Sequence, residues 1–370
     1  MKKIATHSFD LLKRSYKSFR AISFLLIAVI TCVGIVGCTY SPLKPKEKNN
    51  AKSSELQQKE VKDNDLSIKI NTIQDLIKMV NDVNKKGAKH IGQAYSLNAD
   101  LDLKGVDLSP IGQSDPIVIN DVATSGFNGI FDGRNHTISN LNIFINDNPQ
   151  TQQITGAGLF AIIGKHGVVK NLNLKNCVVK TGKTNEMNVG LLAGVCYGEI
   201  LNCNVSGTVS GQVTAGGLVG EVGGELADYE NIDNNFKAHI KNCVAETDVS
   251  GTAGVGGMFG SVYMGLIEDC TVSGTVFATK SELEVVSGTP YRVGGFTGFG
   301  YYADFNCCES DTALKIDGKG NCIGVFAGGV SKSKVANCKY NSDKVEKRNI
   351  IDFIDDRDVS NCNGYDIKAK

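Results

Sequence analysis

Apolar and polar residues change their spacing along this chain, and the changes predict its elements. After Thr72, Ile73, Leu76, Ile77, Val80 and Val83 fall on one face at helical spacing, and Thr72 with Asp75 three residues on suits a capped helix start. Leu97, Ala99, Leu101 and Leu103 then alternate with Asn98, Asp100 and Asp102, the period of a half-buried strand. A single helix followed only by strand signals fits a cap over the open end of a long β structure.

From Gly156 onward the pattern repeats. A glycine-apolar cassette recurs as VGLLAG from Val189, AGGLVG from Ala215, VGGMFG from Val255, VGGFTG from Val293 and IGVFAG from Ile323, after a degenerate AGLFA from Ala157. Each is followed by Asn-Cys or a near-equivalent: Asn176-Cys177, Asn202-Cys203, Asn242-Cys243, Asp269-Cys270, Asn306-Cys307, Asn337-Cys338 and Asn361-Cys362. Such self-similarity indicates a solenoid whose repeats bury their apolar faces against one another. Apolar parity slips at the Asn, so the Asn marks a corner between two strands of one turn, a place its tolerance of unusual backbone angles suits. The expected fold is all-β, a right-handed parallel β-helix with a short N-terminal capping helix. Its Asn and Cys should stack in ladders at the strand spacing of about 4.8 Å. The expected extent is Asn98 to Asn361, with Asp304, two before Asn306, and the doubled Cys308 marking an irregular turn.

The first 38 residues have the layout of a targeting segment. Lys2, Lys3, Lys13, Arg14, Lys17 and Arg20 precede an apolar run from Ala21 to Gly37 that ends at Cys38. Ile35-Val36-Gly37-Cys38 resembles the bacterial lipobox, which makes Cys38 the expected lipidation site and places the protein on a bacterial membrane, lipid-anchored and outside the cytoplasm. The plain alternative is a signal-anchor helix. Polar, low-complexity sequence from Thr39 to about Asp65 reads as a tether. The expected organisation is a signal peptide at 1–37, tether at 38–66, cap and first coils at 67–155, repeats at 156–364 and a tail at 365–370.

Composition agrees: 42 Gly, 6 Pro and no Trp favour tight turns and small core residues. Lys+Arg and Asp+Glu are equal at 39 each, which disfavours nucleic acid as a partner. The 12 cysteines would suggest disulfides in an exported protein, but their place at repeat corners favours buried thiols; Cys196, Cys308 and Cys322 fit that reading least clearly. There is no zinc-type Cys/His spacing, no H-E-x-x-H, no G-x-S-x-G and no phosphate loop, so no catalytic residue, metal site or cofactor is expected.

The cassettes followed by I-x-N-C-x-V-x-G resemble the GLUG repeat of bacterial surface proteins, adhesins and the non-catalytic regions of IgA-peptidase-like proteins. DLIKMVNDVNKKG, LNADLDL, Pro110-Ile111-Gly112 and FNGIFDGRNHTISNL from Phe127 resemble the segment that precedes those repeats. The resemblance implies a β-helix and a functionally mixed family. Polysaccharide-active enzymes also use this fold and need clustered carboxylates. Asp352, Asp355, Asp356 and Asp358 with Arg357, and the acids from Glu221 to Glu230, fall outside the regular strands. The expected function is a non-catalytic binding or adhesion surface for an extracellular protein or glycan, with a polysaccharide-active enzyme as the alternative. The insert from Glu221 to His239 is the candidate binding loop, with Glu221, Glu225, Asp228 and Glu230 as its acids.

Overall fold

The computed structural model describes residues 66–86, 91–113, 117–119, 122–124, 126–146, 156–182, 187–223, 238–279, 292–316, 322–341, 344, 351–355, 358–360 and 363–365. Cys38, Glu225, Asp228, Glu230, Asn361 and Cys362 lie outside these residues. The chain forms a parallel β-helix.

One turn shows the design. Glu199–Leu201 lies on a first face (a), Asn204–Ser210 on a second (b), Thr214–Gly216 on a third (c) and Val219–Val222 on a fourth (d), and Ala238–Lys241 resumes face a one rung on. Each face is a parallel sheet, among the described residues of ten strands on a, ten on b, seven on d and six on c. Register keeps like residues stacked: Val205, Ala245 and Val272 follow one another inside face b, as Ile200, Ile240 and Ile267 do inside face a. These six side chains are at most 2% exposed. The core is thus a stack of apolar layers, each completed by its neighbours. Within it Phe296 stacks on Phe326, ring centroids 4.8 Å apart and 6° from parallel.

The cassette glycines are explained at the junction of faces c and d. A Cβ on Gly216 would stand 2.1 Å from the Val219 carbonyl oxygen and 2.6 Å from the Gly260 nitrogen. Only hydrogen fits there, so backbone meets backbone between the two faces.

A strand at Ile68–Ile70 opens face a, and helix α1, Ile73–Lys86, follows it before face a resumes at Ala94–Leu97. Thr72 and Asp75 form the expected reciprocal cap: Asp75 N–H donates to Thr72 Oγ1 at 3.2 Å and Thr72 N–H to Asp75 Oδ2 at 3.0 Å. Leu76, Val80 and Val83 join the core, and Asn84 ties the helix to Pro110 and Gly112. The β structure therefore begins before the helix, earlier than the expected Asn98. The alternation from Leu97 to Leu103 also divides. Ala94–Leu97 lies on face a and Leu101–Asp102 on face b, so residues 98–100 turn a corner while the apolar period continues through it.

Two further expectations are corrected. Asn176-Cys177 does not stack on Asn202-Cys203. Leu174 pairs with Val205, so Asn171-Leu172 occupies that corner, and Asn176 forms a second corner below Asn140 within face b. The turn around Asp304 is regular, with Asp304 pointing outward beside Leu266 and Phe305 inward beside Ile267. The corner pair there is Cys307-Cys308 in place of Asn306-Cys307: Cys307 takes the left-handed angle, φ 54°, and Cys308 is the buried thiol.

Candidate binding surface

The a-to-b corner is built by one backbone need. Asn171, Asn202, Asn242, Asp269, Cys307 and Asn337 all have φ between 53° and 56°, a left-handed conformation that Asn and Asp adopt more readily than other side-chain-bearing residues. Their side chains face outward and link rungs. Asn171 Nδ2 donates to Asp132 Oδ1 at 3.0 Å, Asn202 to Asn171 at 3.1 Å, Asn242 to Asn202 at 2.8 Å, and Asn337 Nδ2 to Asn306 Oδ1 at 3.0 Å. Immediately inside, the thiols of Cys203, Cys243, Cys270, Cys308 and Cys338 donate to the carbonyl two residues back, at 3.1 to 3.4 Å. Cys177 does the same at its own corner, at 3.5 Å.

These thiols are structural. The nine described cysteines are free, and among the described residues no cluster could hold a metal. Burial pushes Cys177 up to about 11 and Cys196 up to about 12, and it raises Cys203, Cys270 and Cys308 as well, so the reactive thiolate is suppressed at these five. Cys307 is exposed and Cys322 partly so.

The outer rows of face b hold different chemistry on each rung. One row runs Asn173, Asn204, Val244, Thr271, Glu309 and Lys339, and the next Ser206, Glu246, Ser273 and Asp311. Further along the strands, Phe144, Lys180, Ser210, Ser250, Phe277 and Lys315 align, with Phe144 60% exposed and Lys315 Nζ 5.0 Å from the Phe277 ring. An open groove of ≈ 430 Å³ crosses the early rungs, lined by Thr137, Asn173, Lys175, Asn204, Ser206 and Glu246 among others. Its amides are set by their neighbours: Asn204 Nδ2 donates to Asn173 Oδ1 at 2.9 Å, and Asn173 Nδ2 to the Asn135 carbonyl at 2.8 Å. Face b therefore offers a long surface of amides, hydroxyls and scattered charges on rigid strands. Its outward alternation was legible in the sequence, but which rungs form the groove was not, because that depends on inter-rung register.

Face a carries a smaller polar group. His239 Nε2 lies 3.0 Å from Glu268 Oε2, and Lys241 Nζ is 3.5 Å from Glu268 and 3.7 Å from Asp269. The His239 hydrogen bond, foremost, holds the Glu268 carboxyl below its ordinary value. Glu221, expected on the binding loop, is instead a strand residue of face d, aligned with Val195 and Ser261. His136 sits at an early corner, its Nδ1 3.0 Å from Asp100.

Comparison with known proteins adds three findings. No family model matches the chain. Halomucin of Haloquadratum walsbyi is 34% identical over 134 residues, which span 35% of this chain and 1% of that protein. The chain thus spans a very small part of the curated relative it matches. A crystal structure of a candidate immunoglobulin A1 protease from Bacteroides ovatus superposes with TM-score 0.54 at 19% identity, covering 82% of this chain and 85% of that one. That likeness concerns the fold alone, a β-solenoid.

Proposed function

We propose that this chain is a GLUG-type surface lipoprotein, anchored through lipid on Cys38, whose solenoid works as a non-catalytic binding or adhesion surface for an extracellular protein or glycan. The observation that carries the reading is the division of labour on face b. Inward positions repeat because packing fixes them, as at Val205, Ala245 and Val272, while outward positions change from rung to rung across the groove. An open surface whose side chains are set in register along the rungs suits an extended chain, whose many weak contacts add along its length.

The test is binding of the full-length protein to arrayed glycans and host-surface proteins, with Asn173→Ala, Asn204→Ala and Glu246→Ala combined. Retained folding with at least a tenfold loss of binding is expected. Unchanged binding would remove face b from the reading, and turnover of a polysaccharide would replace the reading by an enzymatic one. The anchor is tested separately by Cys38→Ser, which should leave an unlipidated precursor by mass spectrometry.

A further inference from the structure

The outer side of the junction between faces c and d holds a group of side chains that the repeat does not require. Along face c, Gly156, Asn188, Thr214, Gly254, Arg292 and Cys322 occupy one row by register, and Arg292 is its single charged member. Arg292 is only 8% exposed. Its guanidinium carbon lies 3.7 Å above the Phe299 ring, on face d. Phe299 aligns with Ser261 one rung back, and the Tyr263 ring packs 6.1 Å from Phe299. Arg292 Nε and Ser261 Oγ are both buried without a hydrogen-bond partner. Among the described residues no carboxylate pairs with the guanidinium.

A buried guanidinium without an anion and a buried hydroxyl without a partner each cost free energy that the fold has no structural reason to bear. The guanidinium packs over Phe299 and its Nε–H is left without an acceptor, and a guanidinium fork matches a planar oxyanion. Glu221, one rung from Ser261 in the same row, would repel a second negative charge, which favours a monoanion over a phosphate dianion. We propose that Arg292 and Ser261, supported by Phe299, form a binding subsite for the carboxylate of a small acidic ligand. The subsite lies on the junction of faces c and d and is independent of the groove on face b.

Titration calorimetry of the full-length protein with D-glucuronate, acetate, inorganic phosphate and D-glucose tests the subsite. Saturable binding of a carboxylate but not of glucose is expected; preference for glucuronate over acetate would identify a sugar acid as the source, and equal binding a simple acid. Arg292→Gln should weaken that binding about 10- to 100-fold, as expected for loss of a charged hydrogen-bonding partner. Ser261→Ala removes only an unpartnered hydroxyl, so it should keep or raise the melting temperature and weaken binding roughly fivefold, which separates recognition from folding. Tighter binding of phosphate than of either carboxylate, absence of saturable carboxylate binding, or wild-type affinity in both variants would each overturn the proposal.

Discussion

The turns before residue 146 and the repeats after residue 156 share their sheets but hold their corners by different groups. In the early turns, carboxylates do the work. Asp100 accepts from Thr137 N–H at 2.9 Å and faces His136, Asp102 accepts from Asn140 Nδ2 at 2.7 Å and Lys104 N–H at 3.0 Å, and Asp132 accepts from Arg134 N–H at 2.9 Å. In the repeats, amides and thiols replace them at every described a-to-b corner but that of Asp269. A carboxylate only accepts, so it can begin a ladder but cannot continue one, whereas a carboxamide accepts at one end and donates at the other. Asp132 accordingly stands where the ladder of Asn171, Asn202 and Asn242 begins. Asp269, which cannot donate, ends that ladder one rung beyond Asn242, and there strand pairing carries the stack on.

The largest expected effect comes from the glycines. Gly216→Val should destabilise the repeats by more than about 4 kcal/mol, because backbone occupies the Cβ position and backbone cannot move aside cheaply. Gly105→Ala, in the early turns, should cost only about 1 kcal/mol, since its φ of +75° disfavours a side chain but nothing lies within 4 Å. Urea denaturation of both variants checks this; equal losses would erase the distinction. Next, Phe296→Ala should cost about 3–5 kcal/mol by opening the aromatic layer against Phe326, read in the same assay.

Asn202→Asp tests the ladder directly. At neutral pH the new carboxylate cannot donate to Asn171, and a loss of about 1–2 kcal/mol is expected; below pH 4 protonation restores a donor, so the gap from wild type should narrow. A gap independent of pH would show that the backbone angle, and not the ladder, sets the preference for Asn.

Acid should act on the two regions unequally in the wild-type protein. Asp75, Asp100 and Asp102 have carboxyl pKa values held down, foremost by the backbone N–H groups of Asn71 and Thr137 and the side chain of Asn140 respectively. Their folded values lie below the unfolded ones, so their contribution is complete above the unfolded carboxylate range near pH ~4 and is lost as pH falls through the folded values. Hydrogen exchange, corrected for intrinsic rates, should show the early turns loosening below pH 4 before residues 187–279. The smallest effect is chemical. Iodoacetamide at pH 8 should label Cys307 ahead of the buried thiols of Cys177, Cys196, Cys203, Cys270 and Cys308, with no change in stability; fast labelling of the buried set would mean that the repeats open readily.

Much of this was legible in the residues themselves. The Thr72 cap, the repeat period, the inward valines and the corner role of Asn follow from local chemistry, in which a side chain either tolerates a left-handed backbone or does not. The local reading went astray where two frames were both consistent with the pattern. Asn306-Cys307 and Cys307-Cys308 each place a cysteine after a corner residue, and only pairing with Glu268 and Ala336 shows that Asn306 belongs to the strand. Likewise, Asn176-Cys177 has the corner sequence but lies at another corner, set by the extra strand Asn142–Ile145.

The sequence by itself determined that the chain winds as stacked rungs, because glycine, asparagine and valine recur at intervals that only a turn-by-turn structure satisfies. Tertiary structure alone decided which rung faces which. Contacts between faces c and d, such as Gly216 against Gly260 or Arg292 over Phe299, join residues by register and by the close approach of two sheets, and neither is written in the spacing of a single repeat. The physical reason is that a repeat specifies its own inward side, whereas a surface is shared among neighbours, and its chemistry exists only after they have stacked.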